Sequence, residues 1–171
     1  MELNLENTKA FPLGEELREK LLTGAKECVM SWSTSDGWPM AICHIFLWHE
    51  GRIWTSTSGH KKRVKALRKR PMSCIVVSGE GNEVGGERSV AIKTRVTIHD
   101  DRATKDWFYP AIAAKENPDN PDMANAFMGL LDSPNRVILE HEPIKTVSYD
   151  GIAMRDDLVA KITEALSPPG D

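Results

Sequence analysis

The sequence predicts a mainly β domain with flanking helices, in which an antiparallel sheet closes into a small barrel. Three observations predict it. Short segments with strand-like apolar patterning recur along the chain. Two connections between them, Ser35-Asp36-Gly37 and His49-Glu50-Gly51, are tight turns that reverse the chain into hairpins. A single helix crosses between the third and fourth strands, and the strands are closely spaced and interrupted, which favours a small barrel over an open parallel sheet.

The elements follow in order. Residues Leu13 to Glu27 read as a helix, because Leu17, Leu21, Leu22 and Ala25 recur at helical spacing with charges on the other face. Val29 to Thr34, Trp38 to Trp48 and Arg52 to Thr57 read as three strands joined by the two turns. His60 to Arg70 is a strongly basic helix that stops at Pro71. Met72 to Ser78, rich in Ile and Val, reads as a buried strand. Gly79 to Glu87 is a glycine-rich hairpin connection; its glycine spacing does not match a dinucleotide-binding fingerprint. In Arg88 to His99, Val90, Ile92, Val96 and Ile98 share one strand face while Lys93 and Arg95 share the other. Arg102 to Lys115 and Met123 to Leu131 read as helices separated by a break at Pro118 to Pro121. Asn135 to Tyr149 is a final long strand interrupted near Pro143, Asp156 to Leu166 a terminal helix, and Pro168-Pro169-Gly170 a loose tail.

At 171 residues the chain reads as one domain, 1–171, with a barrel core over about 28–150 and a C-terminal helix over 156–166. No apolar run is long enough to span a bilayer, and the acidic N-terminus lacks a signal-peptide pattern. The three cysteines, Cys28, Cys43 and Cys74, are widely spaced, and two lie in apolar strand-like segments. They read as buried thiols in a reducing compartment, so a cytoplasmic protein is expected. Close ligand pairs for zinc are absent from the sequence.

The most informative segment is Arg52 to Arg70. A strand ends in Thr55-Ser56-Thr57-Ser58, Gly59 turns the chain, and seven basic residues follow between Lys61 and Arg70 with no acid among them. Hydroxyls, a helix start and Lys/Arg side chains together suit a phosphate. The plain alternative is a solvated helix face, which fits the later residues Lys65, Arg68, Lys69 and Arg70 best. The net charge of −3 makes the basic run a local excess and weighs against a nucleic-acid binder, which is usually basic overall. Lys93 and Arg95 offer either an exposed sheet face or a second anion contact. His44 reads as a satisfied core or interface histidine, and the tryptophans of the first strands read mostly as packing. No nucleophile elbow, metal-binding histidine pair or catalytic triad stands out.

The succession Met30 to Met40 with Asp36-Gly37-Trp38-Pro39, then Ile53-Trp54-Thr55-Ser56, then Lys61-Lys62-Arg63 with Leu67 and Arg70-Pro71, resembles the flavin-binding split-barrel superfamily. Within it the pyridoxamine 5'-phosphate oxidase-like proteins and the flavin/deazaflavin oxidoreductases are most similar. The resemblance covers about Cys28 to Asp101, with looser agreement at Arg136 to Met154. It implies a six-stranded antiparallel split β-barrel, a homodimer with the cofactor at the subunit interface, and a flavin-dependent oxidoreductase acting on a small organic substrate. It places Thr55 and Ser56 at the cofactor's phosphate or ribityl region and Lys62 and Arg63 where the family has its phosphate-binding basic pair, while Lys61, a further candidate contact, replaces a position that is often Ser. It runs the strand containing Met40, Ala41, Ile42 and Cys43 beside the isoalloxazine ring; Lys93 is added as a cofactor contact from its strand face, independently of the resemblance. FMN is the cofactor implied; F420 is the alternative, since its acidic tail suits Lys65, Arg68 and Lys69. The C-terminal Arg/His substrate signature of the true oxidase is missing, so pyridoxamine phosphate oxidation itself is not expected. A non-catalytic flavin carrier or sensor, and less readily a nucleic-acid-binding barrel, are the competing readings.

Overall fold

The structure, a computed structural model, describes residues 11–166; the tail Pro168-Pro169-Gly170 lies outside the described residues. Helix α1 (Glu15–Gly24) leads into β1 (Glu27–Ser33), β2 (Pro39–Ile45), β3 (Leu47–His49) and β4 (Arg52–Ser58). Helix α2 (Lys62–Lys69) precedes β5 (Met72–Ser78) and β6 (Arg88–His99). Helices α3 (Arg102–Glu116) and α4 (Pro121–Leu131) precede β7 (Arg136–Asp150), and α5 (Gly151–Leu166) ends the described chain. The strands form one antiparallel sheet in the order β2-β1-β5-β6-β7-β4-β3.

The sheet curls around a core supplied by one face of every long strand. Met30, Ile53, Ile75, Val77, Val90, Ile92, Val96, Val137 and Leu139 meet there. Leu21 and Leu22 of α1, and Val64 and Leu67 of α2, pack into the same cluster. Period-two alternation puts these residues on one side of the sheet, and their burial is the main source of stabilisation. A second, smaller cluster lies on the opposite face of β4 and β7, where Trp54 and Ile138 pack against Phe108, Tyr109 and Ile112 of α3 and Leu131 of α4.

Seven strands stand where six were expected, because the segment Trp38 to Trp48 is divided. Its first part pairs with β1 and its last part with β4. Phe46, fully buried, turns inward at the corner, and Lys115 Nζ donates to its carbonyl at 2.8 Å. The following turn places Glu50 at φ 49° and Gly51 at φ 70°, the left-handed pair that a two-residue hairpin needs. Helix α1 is shorter than the leucine spacing suggests, because Ala25 is already extended and β1 takes Glu27 and Cys28 into its ladder. Helix α5 begins five residues earlier than expected. The Asp150 carboxylate accepts from Ala153 N–H at 3.0 Å and pairs with Arg88, so it caps the helix start.

Of the three thiols only Cys28 is buried, with its pKa pushed up to about 12 by desolvation; Cys43 is exposed and Cys74 half-buried. Cys43 alternates outward on β2, which the apolar run around it did not reveal. Among the described residues no helix is long and apolar enough to cross a membrane, and no cluster of metal-ligating groups occurs.

Candidate functional site

The sheet leaves two strand edges unpaired. Strand β2 pairs only with β1, and β3 covers β4 only as far as Trp54. The backbone of Thr55–Ser58 therefore has a free side, as does that of Pro39–Ile45. Between them lies a cleft of about 300 Å³ walled by β2, β4, the start of α2, α4 and the start of β7.

Alternation along β4 sorts the hydroxyl run. Thr55 and Thr57 turn to the barrel interior with Ile53, while Ser56 and Ser58 turn to the opposite face with Trp54. Ser56 and Ser58 line the cleft, and so does the edge of Thr57. The Thr55 side chain is committed elsewhere. Its hydroxyl bonds His141 Nε2 at 3.2 Å, His141 Nδ1 bonds Ser73 Oγ at 2.9 Å, and Ser73 Oγ bonds Thr94 Oγ1 at 2.6 Å. This chain of hydrogen bonds satisfies both nitrogens of a fully buried imidazole whose pKa desolvation pushes down to about 3.

The basic run is divided by the faces of α2. Arg63 turns into the cleft, where its Nη2 donates to Thr57 Oγ1 at 2.5 Å while its buried Nε has no partner. Desolvation lowers its pKa. Lys61 and Arg136 line the same cleft, and Arg136 Nε donates to Leu131 O at 3.2 Å. Lys62, Lys65, Lys69 and Arg70 line a different groove, of about 390 Å³, with Trp32, Thr34 and Ser35. There Arg70 Nη2 donates to Ser33 O at 2.9 Å, and its buried Nε is unpartnered. None of these basic residues pairs with a carboxylate among the described residues.

His44, on β2, also faces the cleft and is half-buried. Phe127, Leu130 and Leu131 of α4 give the cleft an apolar side, and Leu130 is 73 % exposed. The arrangement can hold an oxyanion on Lys61, Arg63, Arg136, Ser56 and Ser58, with an apolar body resting on α4.

The residues singled out from sequence therefore fall into groups. Ser56, Lys61 and Arg63 come together; Thr55 joins the buried histidine; Lys62 lies in the second groove. Met40 and Ile42 share the inward-facing parity of β2 with His44, whereas Ala41 and Cys43 point to the outer face of the sheet. Lys93 is exposed on that outer face, on β6, with β1 and β5 between it and β2. Arg136, Phe127 and Leu130 were missed. They join the site only because β7 pairs with β4 and α4 folds over that pair, and no local signal in the sequence marks either event.

No protein-family model matches the sequence, and no curated protein does. Solved structures match the fold. A conserved hypothetical protein of Mycobacterium tuberculosis superposes with a TM-score of 0.71 at 14 % identity, over 82 % of this chain and 86 % of its own. An F420 reductase gives 0.58 at 14 % identity, over 78 % and 98 %. A FAD-binding protein of Mesorhizobium loti gives 0.56 at 15 % identity, over 80 % and 94 %. The chain has the split-barrel fold of these proteins.

Proposed function

We propose that the chain is a flavin-dependent oxidoreductase that binds FMN phosphate in the cleft between β2 and β4 and acts on a small organic substrate. The observation that carries this reading is the cleft itself: Arg63, Lys61 and Arg136 converge without a carboxylate partner, and Arg63 holds a buried N–H with no acceptor. A half-buried guanidinium whose Nε lacks an acceptor is stabilised by an anion. Lys61, Arg63 and Arg136 would hold the phosphate, Ser56 and Ser58 would hydrogen-bond it, and Phe127 and Leu130 would shield the adjoining apolar part from water. When bound, the flavin supplies the hydride and electron chemistry, and the protein supplies position and charge. Two matched structures, named as an F420 reductase and a FAD-binding protein, support a flavin-type cofactor.

The active form in this reading is a homodimer with the cofactor between two copies. The outer face of β1, β5 and β7 exposes Val29, Met72, Val76 and Val147, an apolar surface beside Cys43, Ala41 and Lys93. A second copy on that face would bring Lys93 to a cofactor that its own chain holds far away.

The second groove favours F420 as the alternative cofactor. Lys62, Lys65, Lys69 and Arg70 lie in one uncompensated strip that suits an acidic tail. The test is an absorbance spectrum of the purified protein with mass identification of any cofactor, followed by titration of the apoprotein with FMN. Arg63→Ala is expected to weaken FMN binding by roughly 1.5–3 kcal/mol, the scale of a charge-assisted hydrogen bond. Unchanged affinity would remove Arg63 from the site, and a bound flavin that no donor reduces anaerobically would favour a carrier or sensor.

A further inference from the structure

The cleft holds one titratable group that its cations do not resemble. His44 Nδ1 lies 2.8 Å from the carbonyl oxygen of Ile45. A carbonyl only accepts, so Nδ1 carries the hydrogen and the neutral ring presents its lone pair at Nε2. Nε2 has no partner among the described residues, and the ring lines the cleft with Ser56, Arg63 and Arg136.

We propose that His44 is a proton-linked contact of this cleft: the ring takes up a proton when a dianionic group binds beside Arg63 and Arg136, and the resulting Nε2–H donates to that group. The proposal rests on the reading of the cleft as an anion site. Its physical basis is the set of charges around the ring. Burial disfavours the imidazolium most and the hydrogen bond to the Ile45 carbonyl favours it; Arg63 from α2 and Arg136 from β7 then disfavour it and Glu27 on β1 favours it, and the balance lowers the pKa of the ring from its ordinary value in the free protein. Lys61 adds a further cation to the same cleft. A bound dianion offsets the guanidinium charges and offers Nε2 an acceptor, so both changes favour the protonated ring. His141, the other histidine that interacts with His44, has both nitrogens occupied and a pKa pushed down to about 3, so it does not take the proton instead.

The consequence is that dianion binding draws one proton from solution and tightens as pH falls through the titration of His44. A monoanion compensates the two guanidinium charges less and couples less, so the cleft prefers a doubly charged phosphate monoester to a singly charged diester.

Sulfate is the probe, because it stays a dianion from about pH 5 to about pH 8, the interval over which histidine titrates. The imidazole carbon-bound protons of the whole protein are followed by NMR across that range, with and without saturating sodium sulfate. The His44 signal is assigned through bonds, so no variant is needed for the primary measurement. The expected result is a His44 midpoint raised by about one unit or more with sulfate present. A correspondingly stronger sulfate affinity, roughly tenfold, is expected at the acidic end. His44→Gln is expected to bind sulfate with no such pH dependence. A midpoint that does not move while sulfate binds overturns the role of His44 alone. Absence of sulfate binding, in the native protein as in Arg63→Gln, overturns the anion site and this inference together.

Discussion

Thr55 and Ser56 are neighbours in sequence with opposite fates. The hydroxyl of Thr55 is spent on His141 inside the barrel, and that of Ser56 faces the cleft. The buried histidine makes a prediction at this scale. Its folded pKa, about 3, lies below the ordinary 6.5, so the unfolded chain gains a proton that the folded chain refuses. Stability from this group is present above about pH 6.5 and is lost as pH falls toward 3, at up to about 1.4 kcal/mol per pH unit. Urea unfolding should show a loss of roughly 2 kcal/mol from this source between pH 7 and pH 5. His141→Gln should remove that part of the slope. An identical slope in the variant would show that other groups govern the acid response.

Helix α2 has three faces with different tasks. Val64 and Leu67 are buried against the barrel, Arg63 enters the cleft, and Lys65 and Lys69 line the second groove. The basic character of the helix and its stop before Pro71 were legible, and the structure runs it from Lys62, two residues later than expected, to Lys69, with Met72 opening the next strand. The division of its cations was not, because it depends on where β1 and β4 lie beside the helix. A double substitution, Lys65→Gln with Lys69→Gln, tests the groove as an element. It should leave FMN affinity within about twofold, since surface charges away from a ligand contribute little. In contrast, F420 affinity should fall by about tenfold or more, the loss of two charge-assisted contacts. Equal effects on the two cofactors would mean that the groove does not distinguish them. Strands β5 and β6 match their expected bounds, Met72–Ser78 and Arg88–His99, because an Ile/Val-rich run and a clean alternation are strong local signals, but β5 is buried on one face only, with Met72 and Val76 turned outward. The corner at Phe46 was hidden, since an aromatic residue inside an apolar run carries no mark of a change of partner.

The whole molecule presents an apolar outer sheet face and a cationic seam on one small barrel. Val76 is 36 % exposed and Met72 62 % exposed on that outer face. Val76→Lys should leave the fold intact, since the side chain already meets solvent, but shift a homodimer toward monomer by about tenfold or more in dissociation constant, the cost of desolvating an unpaired charge in an interface. Sedimentation equilibrium on the native chain and the variant checks this, and a monomer in both would remove the dimer from the proposed function.

By itself the sequence determined the antiparallel class, most of the strands and helices, and the presence of a hydroxyl-glycine-cation segment fit for an anion. These are local properties, set by alternation, turn chemistry and charge within a few residues of one another. Only the tertiary structure decided which of those cations share a cleft, that Thr55 belongs to the core, and that His44, Arg136 and α4 complete the site. Those outcomes depend on which strands pair and which edges stay open, and pairing joins residues far apart in the chain, where no local pattern reaches.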